Sequence, residues 1–345
     1  MAIMRPKPIA ERSKVSAKAF VEEIYPAGEP VIMRGLVEDW PAIALARRSD
    51  QAIIGAMKAW DNGAPVEWLH GPADINGHYF YNADMTGLNF SRHNGTLTQA
   101  LELMQKADGA AYSVQSTPID AVAPGFCAEH RLPFLADAVR PRIWIGNQVI
   151  VQTHFDLSQN IACVVAGRRK FTLFPPEQSA NLYMGPIEHT LAGTPVSLAR
   201  LERPDFERFP RFQIALEHAL TGELEPGDGI FIPYFWWHHV QSLSPFNVLV
   251  NYWWNEFDRL GSPMDALLHA ILTLRDLPPS MKAPWKLMFD QFVFSDELSG
   301  AAHIPEHVRG GLGRHDPATR AMLWSALSHG VSDYHRRHFR GPANG

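Results

Sequence analysis

The segment that most constrains the fold is the run EPGDGIFIPYFWWHHV at residues 225–240. A Pro-Gly-Asp turn leads into a short apolar strand, Pro233 marks a further turn, and aromatic residues and two histidines follow it. Similar β-rich runs separated by glycine and proline fill residues 140–252, which predicts a β-sandwich or barrel core. Alternate residues of a strand face opposite sides, so His238 and His239 are predicted to point in opposite directions.

A second motif, THFDLSQN, lies upstream at residues 153–160. His154 and Asp156 are two residues apart, so on an extended strand their side chains converge on one face. Two histidines and one carboxylate form the facial triad of non-haem Fe(II) oxygenases, which leaves coordination positions open for a co-substrate and O₂. The HxD pattern alone often arises by chance, so this hypothesis needs a third ligand on another core strand.

The segment at 225–240 supplies that ligand. It resembles the second conserved motif of cupins, in which a glycine, a proline six residues later and a histidine five residues after that have fixed spacing. Gly227, Pro233 and His238 match this spacing, although Phe235 stands where many cupins have glycine. His238 is therefore the predicted third ligand, and His239 is predicted to point away from the metal.

Taken together, the motifs resemble the cupin-like branch of the JmjC-domain 2-oxoglutarate oxygenases, and within it the asparaginyl hydroxylases. The likeness covers roughly residues 18–258, with further matching stretches at 29–42, 167–178 and 250–254. It implies a mainly β fold with flanking helices: a double-stranded β-helix of the jelly-roll, cupin and JmjC type with a C-terminal helical appendage. It also implies that His154, Asp156 and His238 bind Fe(II), and that 2-oxoglutarate and O₂ are co-substrates.

The same resemblance assigns residues to the 2-oxoglutarate pocket. In the family, a lysine two residues after the glycine of the GRRKF-like stretch holds the C5 carboxylate, and here that position is Arg169. Arginine can bind a carboxylate through two nitrogens, so the charge is kept while the geometry changes. Lys170, with the other strand parity, is the alternative, and Val151 replaces a threonine that helps to bind the co-substrate in relatives. The further matches are Tyr112 for the C5 carboxylate, Asn160 and Asn251 beside the site, and Trp253 as an aromatic wall.

The function implied is an Fe(II)/2-oxoglutarate-dependent dioxygenase of the hydroxylase type. It would couple decarboxylation of 2-oxoglutarate to succinate with hydroxylation of a C–H bond in a protein side chain or a small molecule. A metal-dependent cupin enzyme that does not use 2-oxoglutarate is one alternative, although such cupins usually carry HxH plus a glutamate. A non-catalytic cupin-like binding protein is the other. Histone demethylation is disfavoured, because neither a basic surface nor a chromatin-reader module is evident.

Composition restricts the partners and the compartment. The net charge of −5 gives no basic surface for nucleic acid and no polybasic patch for membranes. The N-terminus lacks the apolar segment of a signal peptide, and no apolar run approaches the roughly 18 residues of a membrane span. Two distant cysteines, Cys127 and Cys163, do not make a disulfide framework, so a reducing, cytoplasmic location is expected.

The chain is predicted to consist of an oxygenase domain at 1–260, including N-terminal helices and strands, and a helical region at 261–345. Ser16 is the expected cap of a short first helix, and Ser262-Pro263 and Asp316-Pro317 mark helix starts in the second region. The apolar faces of these C-terminal helices indicate either packing onto the β core or a homodimer interface.

Overall fold

The computed structural model describes residues 6–106, 108–132, 134–191, 193–257, 260–295 and 299–339. The chain divides into two compact units, Met1–Glu256 and Phe257–Gly345. The strands of the first unit are β1 (Lys7–Pro8), β2 (Ala10–Ser13), β3 (Val31–Arg34), β4 (Val66–Gly71), β5 (His78–Tyr79), β6 (Ser91–Gly95), β7 (Ala111–Pro118), β8 (Pro141–Gly146), β9 (Ile150–His154), β10 (Gln159–Ala166), β11 (Arg169–Phe174), β12 (Leu220–Leu224), β13 (Gly229–Ile232), β14 (Trp237–Ser242) and β15 (Asn247–Trp254).

The last eight of these strands form a double-stranded β-helix. The strands pair antiparallel in a nested order, β8 with β15, β9 with β14, β10 with β13, and β11 with β12. This is the pairing of one long hairpin that has been wound up, so that its strands are shared between two facing sheets. The fold class predicted from the sequence is confirmed.

Additional strands extend both sheets. The smaller sheet has the order β1-β12-β11-β14-β9-β5, and the larger has the order β2-β3-β13-β10-β15-β8-β7-β4-β6. Within β10, Ala162 and Val164 belong to the core between the sheets, while Ile161, Cys163 and Val165 belong to a second core on the outer face of the larger sheet. Both faces of β10 are therefore buried, which explains its nearly continuous apolar sequence.

The helices of the first unit are α1 (Ala17–Ala19), α2 (Tyr25–Ala27), α3 (Pro41–Arg48), α4 (Asp50–Trp60), α5 (Leu97–Met104), α6 (Ile119–Val122), α7 (Pro124–Glu129) and α8 (Phe212–Glu217). Side chains of α2 to α7 supply the other side of the outer core, whereas the buried residues of α8 do not belong to it. A π-helical turn at Phe20–Ile24 joins α1 to α2. As predicted, Ser16 caps the first helix: its hydroxyl accepts a 3.1 Å hydrogen bond from the backbone N–H of Ala19.

The second unit is helical. It contains α9 (Pro263–Leu274), α10 (Pro279–Phe292) and α11 (Pro317–Phe339), with short 3₁₀ turns between the last two. The hydroxyl of Ser262 caps α9 by accepting a 3.2 Å hydrogen bond from Met264, as the sequence predicts. None of these three helices contains a buried residue. Within the described ranges, no helix combines the length and the apolarity that a membrane crossing requires.

Candidate metal centre

Three predicted ligands converge at one end of the β-helix. His154 ends β9, Asp156 follows two residues later, and His238 on β14 is the cross-strand partner of His154. Each contributes a ligand atom that lies within 4.8 Å of the other two, and no other such histidine, cysteine or carboxylate cluster occurs in the described part of the chain. The two imidazole centroids are 4.2 Å apart, and His238 Nε2 lies 3.6 Å from Asp156 Oδ2.

Backbone carbonyls fix how the two histidines face the site. His154 Nδ1–H donates to the carbonyl of Gln152 at 2.8 Å, and His238 Nδ1–H donates to that of Trp236 at 3.0 Å. A carbonyl only accepts, so each ring carries its proton on Nδ1 and leaves the Nε2 lone pair for a metal. Burial, reinforced by His238, lowers the pKa of His154 to about 4, which keeps this ligand neutral at physiological pH.

A chain of side-chain hydrogen bonds leads to the carboxylate ligand. Trp144 Nε1 donates to Asn251 Oδ1 at 2.9 Å, Asn251 Nδ2 donates to Asn160 Oδ1 at 3.5 Å, and Asn160 Nδ2 donates to Asp156 Oδ2 at 3.5 Å. The two asparagines that the resemblance places beside the site thus support Asp156. Trp144, which the sequence reasoning missed, begins this chain from β8.

The interior of the β-helix beside the triad is a cavity that contains most of the predicted co-substrate residues. Arg169 is only 4% exposed, and no described group accepts a hydrogen bond from its Nε. Burial, with no neighbouring carboxylate to oppose it, lowers the pKa of Arg169 to about 10. The lining residues are Trp144, Val151, His154, Asp156, Asn160, Ala162, Arg169, Phe171, Ile232, His238, Val240, Leu249, Asn251 and Trp253.

An unpaired buried guanidinium is costly, and it indicates that an anion belongs in the cavity. Trp253 Nε1 is a second buried donor without a partner among the described residues. These two donors fit a dicarboxylate such as 2-oxoglutarate, and the His/Asp/His donor set fits Fe(II). Arg169 faces the cavity together with Phe171, whereas Lys170 is not among the lining residues. Strand parity therefore favours Arg169 over Lys170 as the carboxylate-binding residue.

A β-bulge brings Val151 into the cavity with His154. Between β14 and β9, His238 pairs with His154 and Val240 with Val151, so the single residue His239 stands opposite two residues of β9, Gln152 and Thr153. The extra residue on β9 allows two side chains that are three positions apart to face the same side. Apolar Val151 offers no hydrogen bond where relatives have threonine.

Tyr112 is the predicted co-substrate residue that the structure does not bring to the cavity. Its side chain packs in the outer core, its ring stacks on His70 with centroids 5.1 Å apart, and its hydroxyl donates to Asp108 at 2.9 Å. The parity of β7 turns Tyr112 outward, while Gln115 lines an adjoining cavity next to the triad.

This adjoining cavity shares Trp144, Val151 and His154 with the first. Its other walls are largely apolar and come from β4, β5, β7, β9, the residue before β6 and the segment after residue 190. They are Leu69, Tyr79, Phe90, Gln115, Gln152, Leu191, Thr194 and Val196. The described lining contains no carboxylate. The arrangement leaves an uncharged space beside His154 and separate from Arg169.

His239 faces the other side of its sheet from His238. Its Nδ1 lies 3.3 Å from Thr153 Oγ1, and its Nε2 contacts the carboxylate of Glu202. Burial opposes ionisation of Glu202, but the hydrogen bond from His239 and the nearby His78 lower its pKa to about 2. The sequence reasoning missed this cluster, because its members are widely separated along the chain and no local motif marks them.

A family model described as a cupin-like domain matches residues 16–259. HSPB1-associated protein 1 of Homo sapiens is 35% identical over 133 residues, which cover 38% of this chain and 27% of the relative. Lysine-specific demethylase JMJ31 of Arabidopsis thaliana is 37% identical over 116 residues, covering 33% of this chain and 21% of the relative. Jumonji C domain-containing protein 5 of Drosophila melanogaster is 24% identical over 253 residues, covering 69% of this chain and 58% of the relative.

These matches span about a quarter of the length of the human and plant relatives, so they describe a domain and not those whole proteins. The family model covers more than half of the present chain, and it includes both metal-ligand motifs. The nested strand order and the His/Asp/His triad agree with that match. The chain therefore belongs to the cupin-like domain family, in its JmjC-type oxygenase branch.

Proposed function

We propose that the protein is an Fe(II)- and 2-oxoglutarate-dependent dioxygenase that hydroxylates a C–H bond. The observation that carries this proposal is the unpaired Arg169 guanidinium, buried in the same cavity as the His154, Asp156 and His238 triad. A cupin that uses only a metal has no need for a buried cation beside it. The pairing of a metal triad with an anion-binding residue instead supports a co-substrate that is both a metal ligand and a carboxylate.

When bound, Fe(II) with 2-oxoglutarate and O₂ supplies oxidative decarboxylation to succinate and CO₂ together with hydroxylation of the substrate. The protein's residues bind and orient these reactants. His154, Asp156 and His238 would hold the metal on one side. The hydrogen bonds that run through Asn251 and Asn160 would fix the position of the Asp156 carboxylate. Arg169 would bind the distal carboxylate of the co-substrate, and the apolar walls of the cavity would keep water away.

We propose an uncharged, apolar group as the part of the substrate that reaches the metal. The adjoining cavity has the apolar walls Leu69, Phe90, Leu191 and Val196, and its described lining carries no carboxylate to pair with a methylated lysine. The substrate is a protein side chain or a small molecule, and the names of the plant and human relatives support a protein. Lysine demethylation is the second candidate, because one relative is a lysine-specific demethylase.

The test measures succinate formed from 2-oxoglutarate with Fe(II) and O₂, and hydroxylated products by mass spectrometry as a gain of about 16 Da. Asp156→Ala should abolish succinate formation and weaken Fe(II) binding. Arg169→Ala should raise the concentration of 2-oxoglutarate that turnover requires. Lys170→Ala, on the same strand but outside the cavity, is its matched control and should leave that concentration unchanged. Tight metal binding without 2-oxoglutarate turnover would reject the proposal in favour of a metal-only cupin or a binding protein. Formaldehyde release from methylated lysine would favour demethylation.

We further propose that residues 261–345 form a separate helical region that mediates homodimerisation. The helices α9, α10 and α11 have no buried residue but carry many exposed apolar side chains. Among these are Leu267, Leu268, Leu272, Met281, Trp285, Leu287, Met288, Met322, Trp324, Leu327, Val331 and Tyr334. A second copy of the chain would offer equally apolar faces to cover them. Light scattering over a range of protein concentrations tests this, and a monomer at every concentration would reject it.

We propose the cytoplasm as the compartment. Both cysteines are free thiols: Cys163 is buried and Cys127 is half-buried. Burial raises the pKa of the Cys163 thiol, which keeps it protonated and unreactive. Free thiols agree with a reducing environment. Fractionation of cells that express the tagged protein tests this location.

A further inference from the structure

A third cavity, of about 400 Å³, lies in the first unit and shares no lining residue with the metal cavity or with the cavity that adjoins it. It is formed by the segment after β5 and by the stretch that precedes α8. Its lining consists of Phe80, Tyr81, Asn82, Ala83, Met85, Leu198, Arg200, Arg203, Asp205, Arg208 and Phe209. Its volume is in the range of small-molecule binding sites.

Three guanidinium groups and one carboxylate face this cavity, which leaves two positive charges in excess. No described carboxylate forms an ion pair with Arg200, Arg203 or Arg208, whereas other arginines of the first unit are paired, among them Arg34, Arg47, Arg92 and Arg140. Arg200 Nη2 donates to His78 Nδ1, but its buried Nε has no partner among the described residues. The cavity therefore contains one buried donor without a partner, the Nε of Arg200, and two exposed guanidinium groups, those of Arg203 and Arg208.

Aromatic rings lie beside two of these guanidinium groups. The guanidinium of Arg200 lies 5.8 Å from the ring centroid of Phe80, and that of Arg208 lies 5.1 Å from the ring centroid of Phe209. Burial lowers the pKa of Arg200; Glu202 opposes this change, and the positive charge of Arg203 adds to it. The mutual repulsion of two cations beside an unfilled donor is relieved when an anion binds between them.

We propose that this cavity is a binding site for a small dianionic molecule, a phosphate monoester or a dicarboxylate, with an apolar or aromatic body. Two excess charges match a dianion, and the planar forks of Arg203 and Arg208 suit either phosphate or carboxylate oxygens. Phe80, Leu198 and Phe209 provide apolar contacts for the body of the ligand. The site is separate from the one that Arg169 offers, so its ligand need not be the co-substrate.

The experiment is isothermal titration calorimetry of the metal-free full-length protein with inorganic phosphate, phenyl phosphate and succinate, each at constant ionic strength. We expect saturable binding of at least one probe, with phenyl phosphate tighter than inorganic phosphate because of the aromatic walls. Arg203→Ala and Arg208→Ala should each weaken that binding by about tenfold or more, since each removes a charged donor. Binding of phosphates alone supports a phosphate ester, and binding of succinate alone supports a dicarboxylate.

The matched control is Arg48→Ala, which removes an exposed arginine on α3 and should leave the affinity within twofold of wild type. Arg203→Lys keeps the charge but loses the two-nitrogen fork, so it should bind with intermediate affinity. Absence of saturable binding for all three probes overturns the proposal. So does an affinity that Arg203→Ala and Arg208→Ala leave unchanged, since the anion would then bind elsewhere, as at Arg169. The assay needs neither iron nor turnover, so its outcome is independent of the proposed dioxygenase activity.

Discussion

Replacement of Arg169 by methionine should make the metal-free protein more stable while removing its ability to bind 2-oxoglutarate. The guanidinium is buried, lacks a partner for Nε, and has no neighbouring carboxylate. In the absence of the co-substrate, the folded protein therefore bears the cost of an uncompensated charge. Methionine has similar length, carries no charge, and can pack against the apolar side chains of Phe171 and Val151.

The size of this effect follows from the pKa of the buried group. Burial lowers the pKa of Arg169 from its ordinary value to about 10. At about 1.36 kcal/mol for each pKa unit, this corresponds to about 3 kcal/mol of unfavourable free energy for the charged folded state at neutral pH. That value sets the scale of the stabilisation expected when the charge is removed. Replacement of buried ionic groups by apolar residues elsewhere has gained about 1–4 kcal/mol, which agrees in sign and scale.

The assay compares the free energies of unfolding of wild type, Arg169→Met and Lys170→Met in denaturant, each with and without 2-oxoglutarate and a redox-inert divalent metal. Co-substrate at about 100 times its dissociation constant should stabilise wild type and Lys170→Met by about 2.7 kcal/mol and Arg169→Met by almost nothing. If Arg169→Met unfolds more easily than wild type without ligand, the inferred charge cost is wrong. If 2-oxoglutarate stabilises Arg169→Met as much as wild type, or if Lys170→Met is the variant that loses the effect, the assigned carboxylate-binding residue is wrong.

Three further predictions concern other parts of the molecule. His238→Ala should lose Fe(II) binding in metal titrations and turnover in succinate assays. His239→Ala should still bind the metal but lose about 1–3 kcal/mol of stability, because the partly buried carboxylate of Glu202 loses its partner. Equal loss of metal binding in both variants would contradict this prediction. Leu272→Arg with Trp285→Arg should shift light-scattering mass from dimer to monomer at unchanged turnover per chain, and an unchanged mass would exclude these faces from the interface. Burial raises the pKa of the Cys163 thiol in the folded protein above its unfolded-state value of about 9. The contribution of this thiol to the free energy of unfolding should therefore be constant below about pH 9 and should fall above it, by up to about 1.4 kcal/mol per pH unit, because the thiol ionises first in the unfolded chain. Cys163→Ala should flatten that slope when denaturation is measured as a function of pH.

Strand parity made the main site predictable from the sequence. The spacing of His154 and Asp156 and the position of His238 each require only that a short segment be extended. The same rule separated Arg169 from Lys170, since only one of two adjacent residues can face the interior of a β-helix. Parity placed His154 and Asp156 on one face, whereas His238 and Arg169 were chosen by the spacing of motifs that the sequence resembles, and parity only separated each of them from its neighbour.

Tyr112 was predicted to contact the co-substrate but lies outside the cavity, and strand parity explains why the sequence could not reveal this. Residues 111–114 of β7 are all buried, because one face of this strand meets the outer core and the other faces the interior. Alternation of polar and apolar residues is therefore absent, and the sequence does not reveal which side chains point inward. A register shift between Val114 and Thr117 in the pairing with β8 makes any inference by counting still less secure.

Two other features required the folded chain. The contacts of Glu202 with His239 and of Arg200 with His78 join side chains that are 37 and 122 residues apart, and no local pattern marks either pair. The arginine cavity has the same origin, since two chain segments that are distant in sequence form its walls. Polar clusters of this type are set by tertiary packing, so a single sequence carries no periodic signal for them.

The starts of the C-terminal helices could be predicted from the sequence, but what stabilises these helices could not. Their starts were predictable because caps act within a single turn: Ser262 bonds to Met264, and Pro317 occupies the first position of α11. What stabilises them was not predictable, because propensity alone rarely sustains helices of 12 to 23 residues in water and burial normally supplies the rest. None of the three helices contains a fully buried residue, so the proposed association with a second copy would add the missing burial and make their stability depend on protein concentration.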